Sequence, residues 1–166
     1  HDQETFNNHY AIPGLSQIFT SKRIASLRID WRGRGKSIGD QEFHSFTRRQ
    51  REAMQIDVKA AINFLACQKG IDSKRIAVIA EEIAADAAVL GAIDDPRVRL
   101  FVFLSGLLGD KAKDYLARQP VPVMCVVSSD DRQAFSDMAQ VYSSSGSPES
   151  DIVVFAHNSI GTTMFY

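Results

Sequence analysis

The sequence predicts an α/β fold: a doubly wound, mostly parallel sheet with helices on both faces, built as a single domain over residues 1–166. Three observations carry this prediction. Short β-branched runs alternate with longer segments of helical periodicity. Several of those runs are apolar almost throughout, as strands buried on both faces must be, whereas a half-exposed strand would alternate. Finally, 166 residues with 45% hydrophobic and 23% charged side chains can bury one sizeable core.

The strands are expected at 24–29, 75–79, 99–104, 121–127 and 152–155. Between them, Thr47 and Gln50 have the spacing of a capping box. Behind that box Met54, Val58, Ala61, Ile62 and Leu65 recur at helical intervals, giving an amphipathic helix that ends near Gly70. A helix over 82–91 is almost wholly small and apolar, which predicts close packing on the sheet. Ala134, Phe135, Met138, Val141 and Tyr142 mark another amphipathic helix, and two more are read at 9–21 and 110–118, with Pro13 tolerable only in a first turn. The serine-rich stretch 143–150 reads as a mobile surface connector.

Nineteen basic and twenty acidic residues leave a net charge of −1, so the balance gives no sign of a nucleic-acid partner. Cys67 and Cys125 sit among apolar residues and are too few for a disulfide framework, which points to a reducing, cytoplasmic compartment. The longest apolar stretch, 98–108, is interrupted by Arg99, Ser105 and Gly106 and is about half a membrane span, so no transmembrane helix and no membrane partner are expected. No signal peptide pattern is present. The chain opens on His1, which suggests a piece of a longer protein.

Four segments carry a family resemblance. The first is Leu27-Arg-Ile-Asp-Trp-Arg-Gly-Arg-Gly-Lys-Ser37 and the second Arg75-Ile-Ala-Val-Ile-Ala-Glu-Glu-Ile-Ala-Ala85. The third runs from Asp95-Pro-Arg-Val to Leu104-Ser-Gly106, and the fourth joins 121–132 to 152–164. In this order and spacing they resemble the α/β-hydrolase fold, in its dienelactone-hydrolase-like and small-esterase branch, over essentially the whole length. The resemblance implies a Ser-His-Asp triad with a Gly-x-Ser-x-Gly elbow, in which glycines permit a sharp strand-to-helix turn and the serine is held at the helix start.

At the five elbow positions this chain has Ala80, Glu81, Glu82, Ile83 and Ala84. The acid position falls on Asp131, with Asp130 as an open alternative. The usual Gly-x-x-His-Gly becomes His157-Asn-Ser-Ile-Gly161, which puts Ile160 where the base belongs. An aliphatic side chain accepts no proton, so nucleophile and base are both replaced. Each such loss costs on the order of 10³ to 10⁶ in turnover. The expectation is a degenerate triad, Glu82, Asp131 and Ile160, in an inactive domain retained for ligand binding or assembly. A second reading is an active hydrolase of small carboxylic esters that uses Glu82 as a carboxylate nucleophile, or a displaced constellation with His157 as base. A third is a purely structural or dimerisation domain.

A pocket is expected from His1, Asp2, Glu81, Glu82, Ile83, Asp131 and His157. It would take a small-molecule ligand, and clustered carboxylates there would favour a cation, an amine or a metal, although no metal or other cofactor is assigned. Glu81 and Glu82 also have a plain structural role as carboxylates at a helix start. His1-Asp2 resembles the family's His-Gly segment, whose backbone N–H completes an oxyanion hole after a central strand. By the same resemblance that strand lies ahead of His1, so it is expected from upstream residues, from another chain, or to be dispensed with in a rearranged sheet, truncation at both ends being the preferred expectation. Partners are then a larger chain or a homo-oligomer.

Arg28, Arg32, Arg34 and Lys36 are read chiefly as structural, with an anion patch as the alternative. Arg48, Arg49 and Arg51 make a solvated face beside Glu52. Phe43, His44 and Phe46 lie in a loop that covers the pocket in related folds. Ser37 and Ser105 are packing serines.

Overall fold

The computed structural model describes residues 14–156. Three helices precede the sheet: α1 (Leu15–Ser21), α2 (Arg48–Glu52) and α3 (Met54–Ala66). The strands β1 (Ile76–Glu81), β2 (Val98–Leu104), β3 (Val123–Ser128) and β4 (Asp151–Phe155) follow, all parallel and in the spatial order β1-β2-β3-β4. Parallel neighbours cannot be joined by a hairpin. Each step therefore carries a helix: α4 (Ala84–Gly91), α5 (Asp110–Arg118) and α6 (Arg132–Ser144).

The register decides which side chains meet. Val78 lies opposite Phe101 and Ala80 opposite Phe103, which in turn face Val123 and Cys125 on β3. Residues alternate faces along a strand, so these six share one face, together with Val127. Ala85, Ala88 and Val89 of α4, Ala112 and Leu116 of α5, and Ala134, Met138 and Val141 of α6 join them in one core. Phe101 and Phe103 stack with ring centres 5.8 Å apart at its middle. On the other face Leu104 and Val126 are buried, while Ile79 and Met124 are 43% and 37% exposed. Among the described residues β1 pairs only with β2, so its outer edge is open.

The capping box at Thr47 forms in both directions. The helix behind it, read as one element, is two, because the chain breaks at Ala53 between α2 and α3. The α3 helix then ends at Ala66, short of Gly70. It lies close on α4, and a Cβ on Gly91 would overlap the Gln55 carbonyl oxygen and stand 2.6 Å from Val58 Cβ. β3 begins after Pro122, since neither Pro120 nor Pro122 has an N–H for the ladder. Residues 110–118 form a helix as expected, and the helix expected at 9–21 is seen from Leu15, residues 9–13 lying outside the described range.

The strand expected at 24–29 is not formed. A strand needs a ladder partner, and among the described residues the backbone bonding of this stretch reduces to the Ile24 N–H donating to the Phe19 carbonyl at 2.8 Å. Ile24 and Leu27 are accordingly exposed. The serine-rich connector is tied down more firmly than its composition suggests. Ser147 is buried, the Ser145 and Ser150 hydroxyls are 2.7 Å apart, and the Ser150 Oγ accepts the Val123 N–H at 3.1 Å.

Three measurements check this packing. Phe103→Ala should lower unfolding free energy by about 3–5 kcal/mol, because the emptied ring site is enclosed by helices that cannot collapse into it. Gly91→Ala should cost about 1–3 kcal/mol by forcing α3 off α4, overriding the helix propensity of alanine. Burial pushes the Cys125 thiol up to about 12, while Cys67 is exposed. A disulfide reagent at pH 8 should label one cysteine per native chain and two after unfolding; two in the native state would contradict a closed core.

Candidate functional site

The site grows out of the end of β1. There the chain must leave the sheet and start α4 within two residues, and it does so through Glu82, whose φ is +47°. That is the left-handed region, uncommon for any residue with a Cβ. Three backbone hydrogen bonds hold the turn. The Glu82 N–H donates to the Leu104 carbonyl at 3.1 Å, and the Glu82 carbonyl accepts from Leu107 at 3.0 Å and Ala85 at 3.1 Å. Ala80 is buried and Ala84 half-buried, so methyl groups fit where the resemblance has glycines. The elbow thus survives as a shape.

The neighbouring strand ends in a similar way. Ser105 follows β2 with φ +49° and is 1% exposed. Next to it Gly106 is closely hemmed in, since a Cβ would lie 3.0 Å from Phe103 Cβ and 3.2 Å from Ala85 Cβ. Ser105 is therefore a packing residue, as expected. Ser128, at the end of β3, is also fully buried, and its Oγ accepts the Asp130 N–H at 3.2 Å.

Of the expected site residues, Glu81, Glu82, Ile83 and Asp131 fall among the described residues. The Glu82 and Ile83 side chains are exposed and Glu81 is half-buried. Asp131 caps α6, accepting the Ala134 N–H at 3.2 Å, while Asp130 is exposed. No hydrogen bond joins Glu82 to either aspartate. Among the described residues no group of three or more His, Cys, Asp or Glu is placed to hold a metal. His1, Asp2, His157 and Ile160 lie outside the described residues. The one histidine inside them, His44, is 79% exposed and its Nδ1 lies 3.3 Å from Glu42, so it faces water.

Two open concavities lie at the opposite, amino end of the strands. One of about 610 Å³ is lined by Gln55, Lys59, Asp94, Arg97 and Lys111, and one of about 440 Å³ by Arg99, Pro122, Ser147 and Glu149. In the first, Arg97 pairs with Asp95 at 2.6 Å and donates to Asn63 at 2.7 Å. Hydrogen bonding to Arg97 holds the Asp95 carboxyl below its ordinary range and raises Arg97 in turn. Groups so mutually satisfied are fixtures of the loop into β2.

The basic turn divides. Arg32 is structural, as expected, gripping Asp57 on α3 through Nε at 2.8 Å and Nη2 at 2.5 Å. Asp30 accepts the Lys36 N–H at 3.0 Å and closes the turn over Gly35, whose φ is +51°. Arg48 pairs with Glu52 in water. Arg51 is exposed, in keeping with a solvated face, and it also lies over the Phe43 ring together with Arg34, a contact the sequence did not reveal. Nor did the sequence signal the Lys113–Asp137 pair, 2.7 Å apart, where Asp137 further accepts the Leu108 N–H.

No family model and no curated protein matches the sequence. Solved structures do match in three dimensions. A dienelactone hydrolase from Anabaena variabilis superposes with a TM-score of 0.60 at 14% identity, over 73% of this chain and 55% of its own. The Pyrococcus furiosus esterase Pf2001 matches in two crystal forms. One gives a TM-score of 0.70 at 18% identity, over 92% of this chain and 68% of its own, and the other 0.67 at 15%, over 90% and 67%. This chain thus spans little more than half of the dienelactone hydrolase and about two thirds of the esterase. The parallel sheet, the strained turn after β1 and these superpositions together establish an α/β-hydrolase-like fold.

Proposed function

We propose that this is a catalytically silent hydrolase-like domain, retained for ligand binding or for assembly within a longer chain or a homo-oligomer. The observation that carries the reading is Glu82 itself. It occupies the strained turn from which a hydroxyl would attack, and its side chain is exposed among the described residues. Acyl transfer by a triad needs a nucleophile that a neighbouring base deprotonates as it attacks. A carboxylate has no proton to lose, and position 160 carries isoleucine where an imidazole would be required. Asp131, the remaining member, is engaged in capping α6.

The competing reading, an esterase that uses Glu82 or a displaced constellation, differs in a measurable way. Incubated with an activated aryl ester and with a serine-reactive fluorophosphonate, the full chain should hydrolyse the ester no faster than buffer and acquire no adduct. Turnover that disappears in Glu82→Gln would replace this proposal with the esterase reading. A silent elbow also has no reason to keep a side chain in a left-handed conformation. Glu82→Gly should therefore keep or raise stability by up to about 1 kcal/mol in chemical denaturation. A loss of more than that would mean that the Glu82 side chain makes a contact the fold depends on.

A further inference from the structure

Residues 22–51 hold nine of the chain's nineteen Lys and Arg but three of its twenty Asp and Glu, so a nearly neutral chain concentrates positive charge on one segment. Arg32 and Arg48 are neutralised by Asp57 and Glu52. Arg34 and Arg51 are not. Their guanidinium carbons lie 4.7 and 5.4 Å from the centre of the same ring, Phe43, and among the described residues neither has a carboxylate partner.

The ring is firmly held. Phe43 is buried, packs edge-on against Phe46 at 5.8 Å, and donates its N–H to the Gly33 carbonyl at 2.9 Å. A side chain at Gly33 would collide with both phenylalanines. Arg34 opens the turn Gly35–Ser37, which the Asp30 carboxylate fixes through the Lys36 N–H, and Arg51 sits on α2. Two separate backbone segments thus deliver two cations to one immobile aromatic ring.

A ring face attracts each guanidinium but neutralises neither. Arg51 gives one N–H to the His44 carbonyl at 3.5 Å, and the Arg34 side chain has no hydrogen-bond partner among the described residues. A carboxylate is satisfied by a single guanidinium fork, whereas a phosphate dianion has three terminal oxygens and about two charges to share between two forks. We propose that Arg34 and Arg51, seated on Phe43, bind a phosphate dianion, free or as a monoester, with Lys36 in the same turn adding to the local positive potential. This site shares no residue with the elbow and does not depend on Glu82 being silent.

The test titrates the full chain, at constant ionic strength, with inorganic phosphate and with O-phosphoserine, following arginine side-chain N–H resonances and binding heat. Saturable binding of either is expected, and the tighter of the two tells free phosphate from an ester. Arg34→Ala and Arg51→Ala should each weaken it about tenfold or more, while Arg49→Ala leaves it unchanged. Arg34→Lys and Arg51→Lys, which keep the charge and lose the fork, should also weaken it and serve if an alanine variant misfolds. Equal response to chloride, failure to saturate, or unchanged affinity in the Arg34 and Arg51 variants would overturn the site.

Discussion

Every feature of the carboxyl rim follows from a single constraint. Parallel strands lying side by side in chain order oblige the backbone to leave each strand end, cross over through a helix, and return to the amino edge. With α4, α5 and α6 all sharing the core face of the sheet, the exits from β1 and β2 must turn abruptly. Two of the four positive φ values at non-glycine residues among the described chain fall just there, at Glu82 and Ser105. Strain of this kind costs of order 1–3 kcal/mol per residue and persists only where surrounding structure over-determines it. Here the backbone bonds from Glu82 to Leu104 and Leu107 lock the first exit onto the second, and the missing side chain at Gly106 lets the pair close on Ala85.

Small residues do comparable work behind the sheet. The alanines of α4 let its backbone approach β1, and Gly91 lets α3 approach α4. That stacking brings Asp57 of α3 to the Arg32 guanidinium, which pins the basic turn to the helical layer. The turn and the loop through Phe43 are thus supported from beneath, although the loop contains only short helical turns of its own. Packing settles the loop's backbone, and the charges left over on Arg34 and Arg51 are free to meet solutes.

Much of this was legible in residues whose neighbours in sequence are also their neighbours in space. The helix 110–118 is bounded by an acid at its start and a base at its end, the Thr47–Gln50 box is a local reciprocal pair, and β2 and β4 announce themselves as apolar runs. Features that depend on distant partners were harder to read. Residues 24–29 have the composition of a strand, but composition supplies no ladder partner, and the segment remains irregular. Cys67 follows Phe64, Leu65 and Ala66, yet Cys67 and Phe64 are exposed while Leu65 and Ala66 pack against the core. Arg51 and Arg34 are seventeen positions apart, and nothing in their local pattern shows that one ring serves both. At the elbow, the substitutions were plain in the sequence, while survival of the turn was not, because alanine in place of glycine tolerates several outcomes.

The persistence of the elbow without its hydroxyl separates two roles usually carried by the same residues. A strained turn at an active site is commonly read as a sign of chemistry, since it presents a side chain for attack. In this chain the conformation is already required by how β1 passes into α4 and by the hydrogen bonds to β2, and none of those contacts involves the side chain at position 82. The backbone bonds that hold the turn therefore do not call for a hydroxyl at position 82. Catalysis imposes the stricter demand of a nucleophile and a base held in mutual reach, and a fold can lose that pairing while its backbone remains intact.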